Sequence, residues 1–287
     1  GTITLLGSRA EEVGGFFGWC DYTSRSHFLH CWSTSEINIS GIAINVGGFV
    51  GRLIGCQQND GPTGTGGLIE RCWATGDINL STSASAGGIG GFFGLAESDV
   101  YAWENQDDEH LDIKNCYAWS SVTIDDANNI FYLGGFGGQV DFYQEDFTLI
   151  NVYDAQTDTA AGSGYSNQIP NGTDVGGVLG YLDYPAYVTD ANDYWDTDTS
   201  GIDTSEAGVG HITSWMQTKA NYEAAGWDFD NIWVLEMSVT VTSWSYIDYI
   251  SPDDRLNIRL IPFEFSVDDA YVLEFGHEFI GFLRTTQ

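Results

Sequence analysis

Gly90-Gly91-Phe92-Phe93-Gly94 is the stretch on which the fold turns, because four more copies of it stand elsewhere in the chain. Gly14-Gly15-Phe16-Phe17-Gly18 and Gly47-Gly48-Phe49-Val50-Gly51 precede it. Gly134-Gly135-Phe136-Gly137-Gly138 and Gly176-Gly177-Val178-Leu179-Gly180 follow it. The copies lie 33, 43, 44 and 42 residues apart. Self-similarity at such a period marks stacked architectures, in which each copy is too small to bury its apolar face alone. A chain turning sharply beside its neighbour needs either a positive φ or close backbone approach, and glycine supplies both.

Working outward, a second element follows each of four copies: Phe28-Leu-His-Cys31-Trp-Ser, Ile69-Glu-Arg-Cys72-Trp-Ala, Ile113-Lys-Asn-Cys116-Tyr-Ala and Leu149-Ile-Asn-Val152-Tyr-Asp. Valine replaces cysteine in the last of these, a swap that suits a small buried apolar position rather than a disulfide or a metal ligand. Cys31, Cys72 and Cys116 are therefore expected to be buried free thiols aligned from copy to copy. A third element, Glu36-Ile-Asn-Ile39, Asp77-Ile-Asn-Leu80 and Ser121-Val-Thr-Ile124, alternates as a half-buried strand does. Each repeat thus offers three short strands able to stack on the same three of the next. Phe16, Phe49, Phe92, Phe136 and Val178 should form one inward ladder. The expected fold is all-β: a parallel β-solenoid of about five coils, roughly 24 Å long at ~4.8 Å per coil.

This pattern of Gly-Gly-apolar-apolar-Gly, then Ile-x-x-Cys-Tyr/Trp-Ala, then Gly/Ser-Asp-Ile resembles the GLUG repeat of secreted bacterial and archaeal adhesins and surface proteins. The run Asp193-Tyr-Trp-Asp196-Thr-Asp-Thr-Ser200-Gly201, with Gly210, Thr213, Met216, Gly226-Trp-Asp-Phe229 and Trp233, is similar to what often closes such arrays. The resemblance covers about residues 13–233 and implies a carrier fold that accompanies many functions.

The chain divides into an N-terminal strand (1–12), a repeat region (13–205), a helical cap (206–236) and a C-terminal β segment (237–287). From Ser214 to Ala225 the pattern is helical, with Thr213 or Ser214 at the start, Gly226 at the end, and Trp215, Met216, Lys219 and Tyr222 on one face. This helix is expected to cover the last coil. Beyond Met237, Val239–Tyr246, Leu256–Leu260, Phe263–Phe265 and Tyr271–Phe275 alternate as antiparallel strands do. They form either a small subdomain or strands that complete another subunit's sheet.

Nine basic against 41 acidic residues leave a net charge of −32, which opposes nucleic acid or anionic lipid as a partner. The acidity also keeps a long β protein soluble without any cation. No apolar run is long enough to span a membrane as a helix. The chain begins at Gly1 with no leader pattern, as either a processed secreted protein or a trimmed segment would.

Asp196-Thr-Asp198-Thr-Ser200-Gly201 matches the opening of a calcium loop, with Asp196, Asp198 and Ser200 as candidate ligands. The closing Glu is missing, since position twelve is Ala207, and an Asx/Ser turn explains the same residues. The residues suggest no cofactor besides this calcium. His27-Phe-Leu-His30-Cys31 is not a zinc site, because Cys31 and its neighbour should face opposite ways. Sequons at Asn38, Asn79 and Asn171 are about as many as chance gives. Nucleophile elbows and phosphate loops are absent.

Insertions at residues 57–67 and 97–111 leave one edge of the rod, and 155–173 leave another corner. Tyr101, Trp103, Asp107 and Asp108 are the candidate partner-binding residues, suited to stacking and hydrogen-bonding a surface glycan. The expected function is a non-enzymatic extracellular structural protein, whose partners are copies of itself in a head-to-tail filament or layer. An adhesin or phage receptor-binding rod for surface glycans is the alternative, and a polysaccharide-acting β-helix enzyme with paired carboxylates is a third.

Overall fold

The computed structural model describes residues 1–21, 27–55, 67–81, 85–98, 110–124, 129–142, 146–154, 173–236, 259–262, 270–275 and 278–283. The described chain is mostly β, with four parallel sheets and a few short helices. It divides into two compact units, Gly1–Thr213 and Ser214–Gln287.

In the first unit, successive repeats contribute neighbouring strands to each sheet. Sheet A holds Thr2–Gly14 and Glu36–Gly47, the latter bent at Gly41 (φ 107°). The first half of Glu36–Gly47 pairs with Ile78–Ser81, which pairs with Val122–Ile124. Its second half pairs with Ser85–Gly90, and Asn129–Gly134 and Thr173–Gly176 continue that arm. Sheet B takes the strand after each glycine pair: Phe17–Asp21, Val50–Ile54, Phe93–Glu97, Gly137–Asp141 and Leu179–Asp183. Sheet C is made of His27–Leu29, Gly67–Glu70, His110–Lys114, Asp146–Ile150 and Val188–Ala191. Sheet D is made of Trp32–Ser33, Trp73–Ala74, Tyr117–Ala118, Tyr153–Asp154, Tyr194–Asp196 and Val209–His211.

Four sheets, rather than three strands per repeat, arise for two reasons. The apolar residues before each glycine pair form a strand of their own. The second element is also split: His30, Arg71, Asn115, Asn151 and Asn192 all take φ between 54° and 60°, a left-handed corner between sheets C and D. A matching column, Glu12, Asn45, Gly88, Tyr132 and Asp174, lies two residues before each glycine pair with φ between 54° and 66°. The corner asparagines bond to one another, Asn151 Nδ2 donating to Asn115 Oδ1 at 3.1 Å and Asn192 Nδ2 to Asn151 Oδ1 at 3.4 Å. These bonds offset the steric cost of the left-handed corner.

The paired glycines answer to close approach, since none has a positive φ. A Cβ on Gly48 would sit 2.2 Å from the Gly91 carbonyl oxygen, and one on Gly91 would sit 2.2 Å from that of Gly135. Beside them runs the expected ladder. Phe16 stacks on Phe49 at 4.8 Å, Phe49 on Phe92 at 4.7 Å and Phe92 on Phe136 at 4.8 Å, with Val178 buried beyond. Phe16 differs from the rest in being 42% exposed, because nothing described stacks on its outer face.

Two apolar cores result. One gathers the phenylalanine ladder with Leu53, Ile69, Ile113, Leu149 and the cysteine column. The other lies along sheet A and holds Ile37, Ile39, Val46, Ile78, Ile89 and Leu133. At about 25 cal/mol per Å² of apolar surface, such side chains each contribute about 1.5–3 kcal/mol.

In the second unit, the expected helix Ser214–Ala225 is two helices, Thr213–Met216 and Lys219–Ala224. Thr218 breaks it: its backbone is extended and its hydroxyl donates to the Ser214 carbonyl at 2.9 Å, competing with the helix ladder. Tyr222 still meets Met216, its hydroxyl 3.4 Å from Sδ, and Gly226 (φ 91°) ends the second helix. Trp233–Glu236 pairs antiparallel with Arg259–Pro262, and Ala270–Phe275 with Glu278–Leu283. The other expected strands here, Val239–Tyr246 and Phe263–Phe265, lie outside the described residues.

Candidate functional site

The cysteine column is the first place where reactive side chains converge. Cys31 N–H donates to Cys72 Sγ at 3.3 Å and Cys72 N–H to Cys116 Sγ at 3.4 Å, so each sulfur accepts from the copy before it. The thiols are free, Cys72 and Cys116 are fully buried, and Cys31 is half-buried at the end of the column. Burial and the neighbouring Cys72 push the Cys116 thiol well above its ordinary range, which keeps it unreactive. Cys20 is also a free thiol, and Cys56 lies outside the described residues.

Val152 is not the end of this column. Its N–H donates to Asp193 Oδ1 at 2.9 Å, so Asp193 stands where the cysteine sulfur stood in earlier copies. The residues Asn192-Asp193-Tyr194 are thus a fifth copy of the second element. The missing apolar residue hides this in the sequence, although the preceding Asn and following Tyr are the recoverable signal. Asp193 is 1% exposed and its Oδ2 has no partner among the described residues. Burial raises its pKa well above the carboxylate range.

Asp196, Asp198 and Ser200 are brought together, in a cap rather than an open loop. Asp196 Oδ1 accepts from Asp198 N–H (3.0 Å), Thr199 N–H (3.2 Å) and the Thr213 hydroxyl (2.9 Å), capping the turn Thr197–Ser200. Ser200 Oγ donates to the Asp196 carbonyl at 2.7 Å, and Asp198 Oδ2 accepts from Thr213 N–H at 3.0 Å. A calcium ion taking Asp196 Oδ1 would have to displace three donors. Among the described residues no group of three or more His, Cys, Asp or Glu side chains is placed to hold a metal ion.

The expected partner-binding residues Tyr101, Trp103, Asp107 and Asp108 lie outside the described residues, as does nearly all of the insertions. Partly exposed aromatics occur elsewhere. Tyr132 and Tyr181 lie 4.4 Å apart at the corner of sheets A and B, beside exposed Phe131. Asp183 and burial raise the Tyr181 pKa. On the face of sheet B, Arg52 bridges three copies, with Nη1 2.8 Å from Glu12 Oε1 and Nε 2.7 Å from Glu97 Oε1. Burial works against the Arg52 charge, but the two carboxylates hold its pKa above the ordinary value. Trp19 covers the guanidinium from 5.6 Å.

The sequons Asn38 and Asn79 pair with each other, Asn79 Nδ2 donating to Asn38 Oδ1 at 2.9 Å and to Glu36 Oε1 at 3.2 Å. No family model, no curated protein and no solved structure matches the chain. Among the described residues, no helix is long and apolar enough to cross a membrane.

Proposed function

We propose that the chain is a parallel β-solenoid of the GLUG-repeat kind, serving as a non-enzymatic structural subunit of an extracellular filament or layer. One observation carries this reading: the residues that define the repeat spend their chemistry on one another. Phenylalanine stacks on phenylalanine, the cysteine sulfur accepts from the backbone of the copy before it, and the glycines admit a neighbouring carbonyl. A repeat selected for stacking makes a rod. Negative-stain images of the native material test the reading: fibres or sheets are expected, and single short rods under all conditions would overturn it.

A recognition rod is the second reading, favoured by the half-buried Tyr132–Tyr181 pair with Asp183 beside it. Aromatic faces stack on sugar C–H groups and carboxylates accept from sugar hydroxyls. Binding on a glycan array that Tyr181→Ala abolishes is the expected result for this reading, and an array without a hit overturns it.

A further inference from the structure

In the cysteine column one atom both accepts and donates. Cys72 and Cys116 Sγ each accept the N–H of the copy before. The thiols also donate to the carbonyl two residues earlier, Cys31 to Leu29 at 3.4 Å, Cys72 to Glu70 at 3.4 Å and Cys116 to Lys114 at 3.2 Å. The Glu70 and Lys114 carbonyls accept as well from the corner amide of the preceding copy, His30 N–H and Arg71 N–H, each at 3.2 Å. Each thiol thus ties the corner of sheets C and D to the coil before it and to its own strand.

In the last copy the same framework closes on a different group. The Ala191 carbonyl accepts from Asn151 N–H at 3.0 Å, as its counterparts do, and Asp193 Oδ1 accepts from Val152 N–H at 2.9 Å. The role of the thiol hydrogen falls to Asp193 Oδ2, which is buried and has no donor beside it among the described residues. An ionised carboxylate only accepts, so it would leave the second bond of the column unmade and a charge shut away from water. A carboxylic acid accepts at one oxygen and donates at the other. The titratable groups on the described elements around it are Asp190, Tyr194 and Asp196 on its own coil, Tyr153 and Asp154 on the coil before, and Asp203, Glu206 and His211 on the segment after. Burial disfavours the charged form of His211. No Lys or Arg occurs between Lys114 and Lys219, and Lys114 is held by Asp112.

We propose that Asp193 is a neutral acid whose Oδ2–H donates to the Ala191 carbonyl, and that losing this proton releases the last coil, Val188–Ala191, Tyr194–Asp196 and Val209–His211. Burial, with Asp190 beside it, keeps the proton on Asp193 against the Val152, Ala191 and Asn151 amides, which favour the charge. The closed coil holds the proton and an opened one gives it up above about pH 4, so opening becomes easier as pH rises toward the folded pKa. What opening uncovers is two strand edges, Asp146–Ile150 in sheet C and Tyr153–Asp154 in sheet D, on which a further strand can pair. The latch works in the same way whether the chain is a filament subunit or a recognition rod.

Amide hydrogen exchange of the full chain from about pH 5 to pH 8, expressed as protection relative to the unfolded rate, tests this. Opening that releases one proton lowers protection about tenfold per pH unit. That slope is expected at Asn151, Val152 and Tyr194, whose N–H groups bond across to or within the last coil, and not at Phe92 or Cys72. Asp193→Asn, whose amide donates at every pH, and Asp193→Cys, which restores the thiol, should each abolish the slope. Protection independent of pH in the unaltered chain overturns the proposal. So does a slope that Phe92 and Cys72 share equally, or one that survives either substitution. Carboxyl-carbon NMR of the unaltered chain decides the case if neither variant folds. An Asp193 signal still that of a neutral acid at about pH 6 is expected, and one that has finished titrating by about pH 5 overturns the latch.

Discussion

At Gly91 the chain has no room for one more carbon. A Cβ there would lie 2.2 Å from the Gly135 carbonyl oxygen and 3.0 Å from Ala118 Cβ, and the obstacle is backbone held in register by hydrogen bonds. Gly91→Ala should cost about 1–3 kcal/mol, the ordinary range for overpacking, read as a lower urea midpoint at unchanged slope. Alkylation with iodoacetamide at pH 8 should modify Cys20 and Cys31 in the folded protein, and Cys72 and Cys116 only after unfolding. Asp193→Asn should raise the melting temperature at pH 7. Burial lifts the folded pKa of Asp193 above its unfolded value, so its cost is absent below about pH 4 and grows as pH rises toward the folded pKa. The gain from the amide should therefore vanish near pH 3, and a gain that persists there contradicts the assignment. At this scale the cysteine column was legible because Val152 occupies the same place. Asp193 was not, because an acid in a buried column breaks the pattern that a search follows.

Within the strands, the same side chain has different weight according to its place in the ladder. Phe136 is fully buried with Phe92 stacked on one side, whereas Phe16, in the first copy, is 42% exposed. Phe136→Ala should cost about 3–5 kcal/mol and Phe16→Ala well under half of that, measured by denaturant unfolding of both variants. Equal losses would show that Phe16 is covered. Strand alternation was readable wherever apolar and polar residues take turns, as in Glu36-Ile-Asn-Ile39. The corners were not, since His30, Arg71 and Asn115 share a backbone conformation and no chemistry. The helix break at Thr218 was equally hidden, because a single hydroxyl bonding back to Ser214 outweighs an otherwise helical period.

For the whole molecule, acid and salt should act in the same direction. Asp112 is half-buried, which works against its charge, but His110 and Lys114 bond to it and hold its pKa at about 2. Its contribution is present above about pH 4 and lost as pH falls toward 2. Burial raises Glu97, Asp141, Asp193 and Asp196, which therefore destabilise the fold as pH climbs above the ordinary carboxylate range. With a net charge of −32, the melting temperature should peak around pH 4–5, fall toward pH 8 and recover there with added salt. A maximum at pH 7–8 in low salt would contradict this balance. The repeat, the parallel stacking and the acid surplus were legible from residue counts and spacing alone. The division of each repeat among four sheets was not, because the left-handed corners that make it share no residue type.

The two left-handed corner columns have a bearing on heredity. Residues 47–89 run from one glycine pair to the residue before the next, and they carry one member of each corner column, Arg71 and Gly88. A tandem duplication of that segment presents every ladder with a partner of the kind it already meets. Loss of the segment joins Val46 to Gly90, the same apolar-to-glycine step as Val13-Gly14. Unequal crossing-over can therefore lengthen or shorten this protein in whole repeats while each intermediate genotype still encodes a stackable chain. A single codon gained inside Val46-Gly47-Gly48 has no such route, and repeat number becomes the trait on which variation is most readily offered to selection.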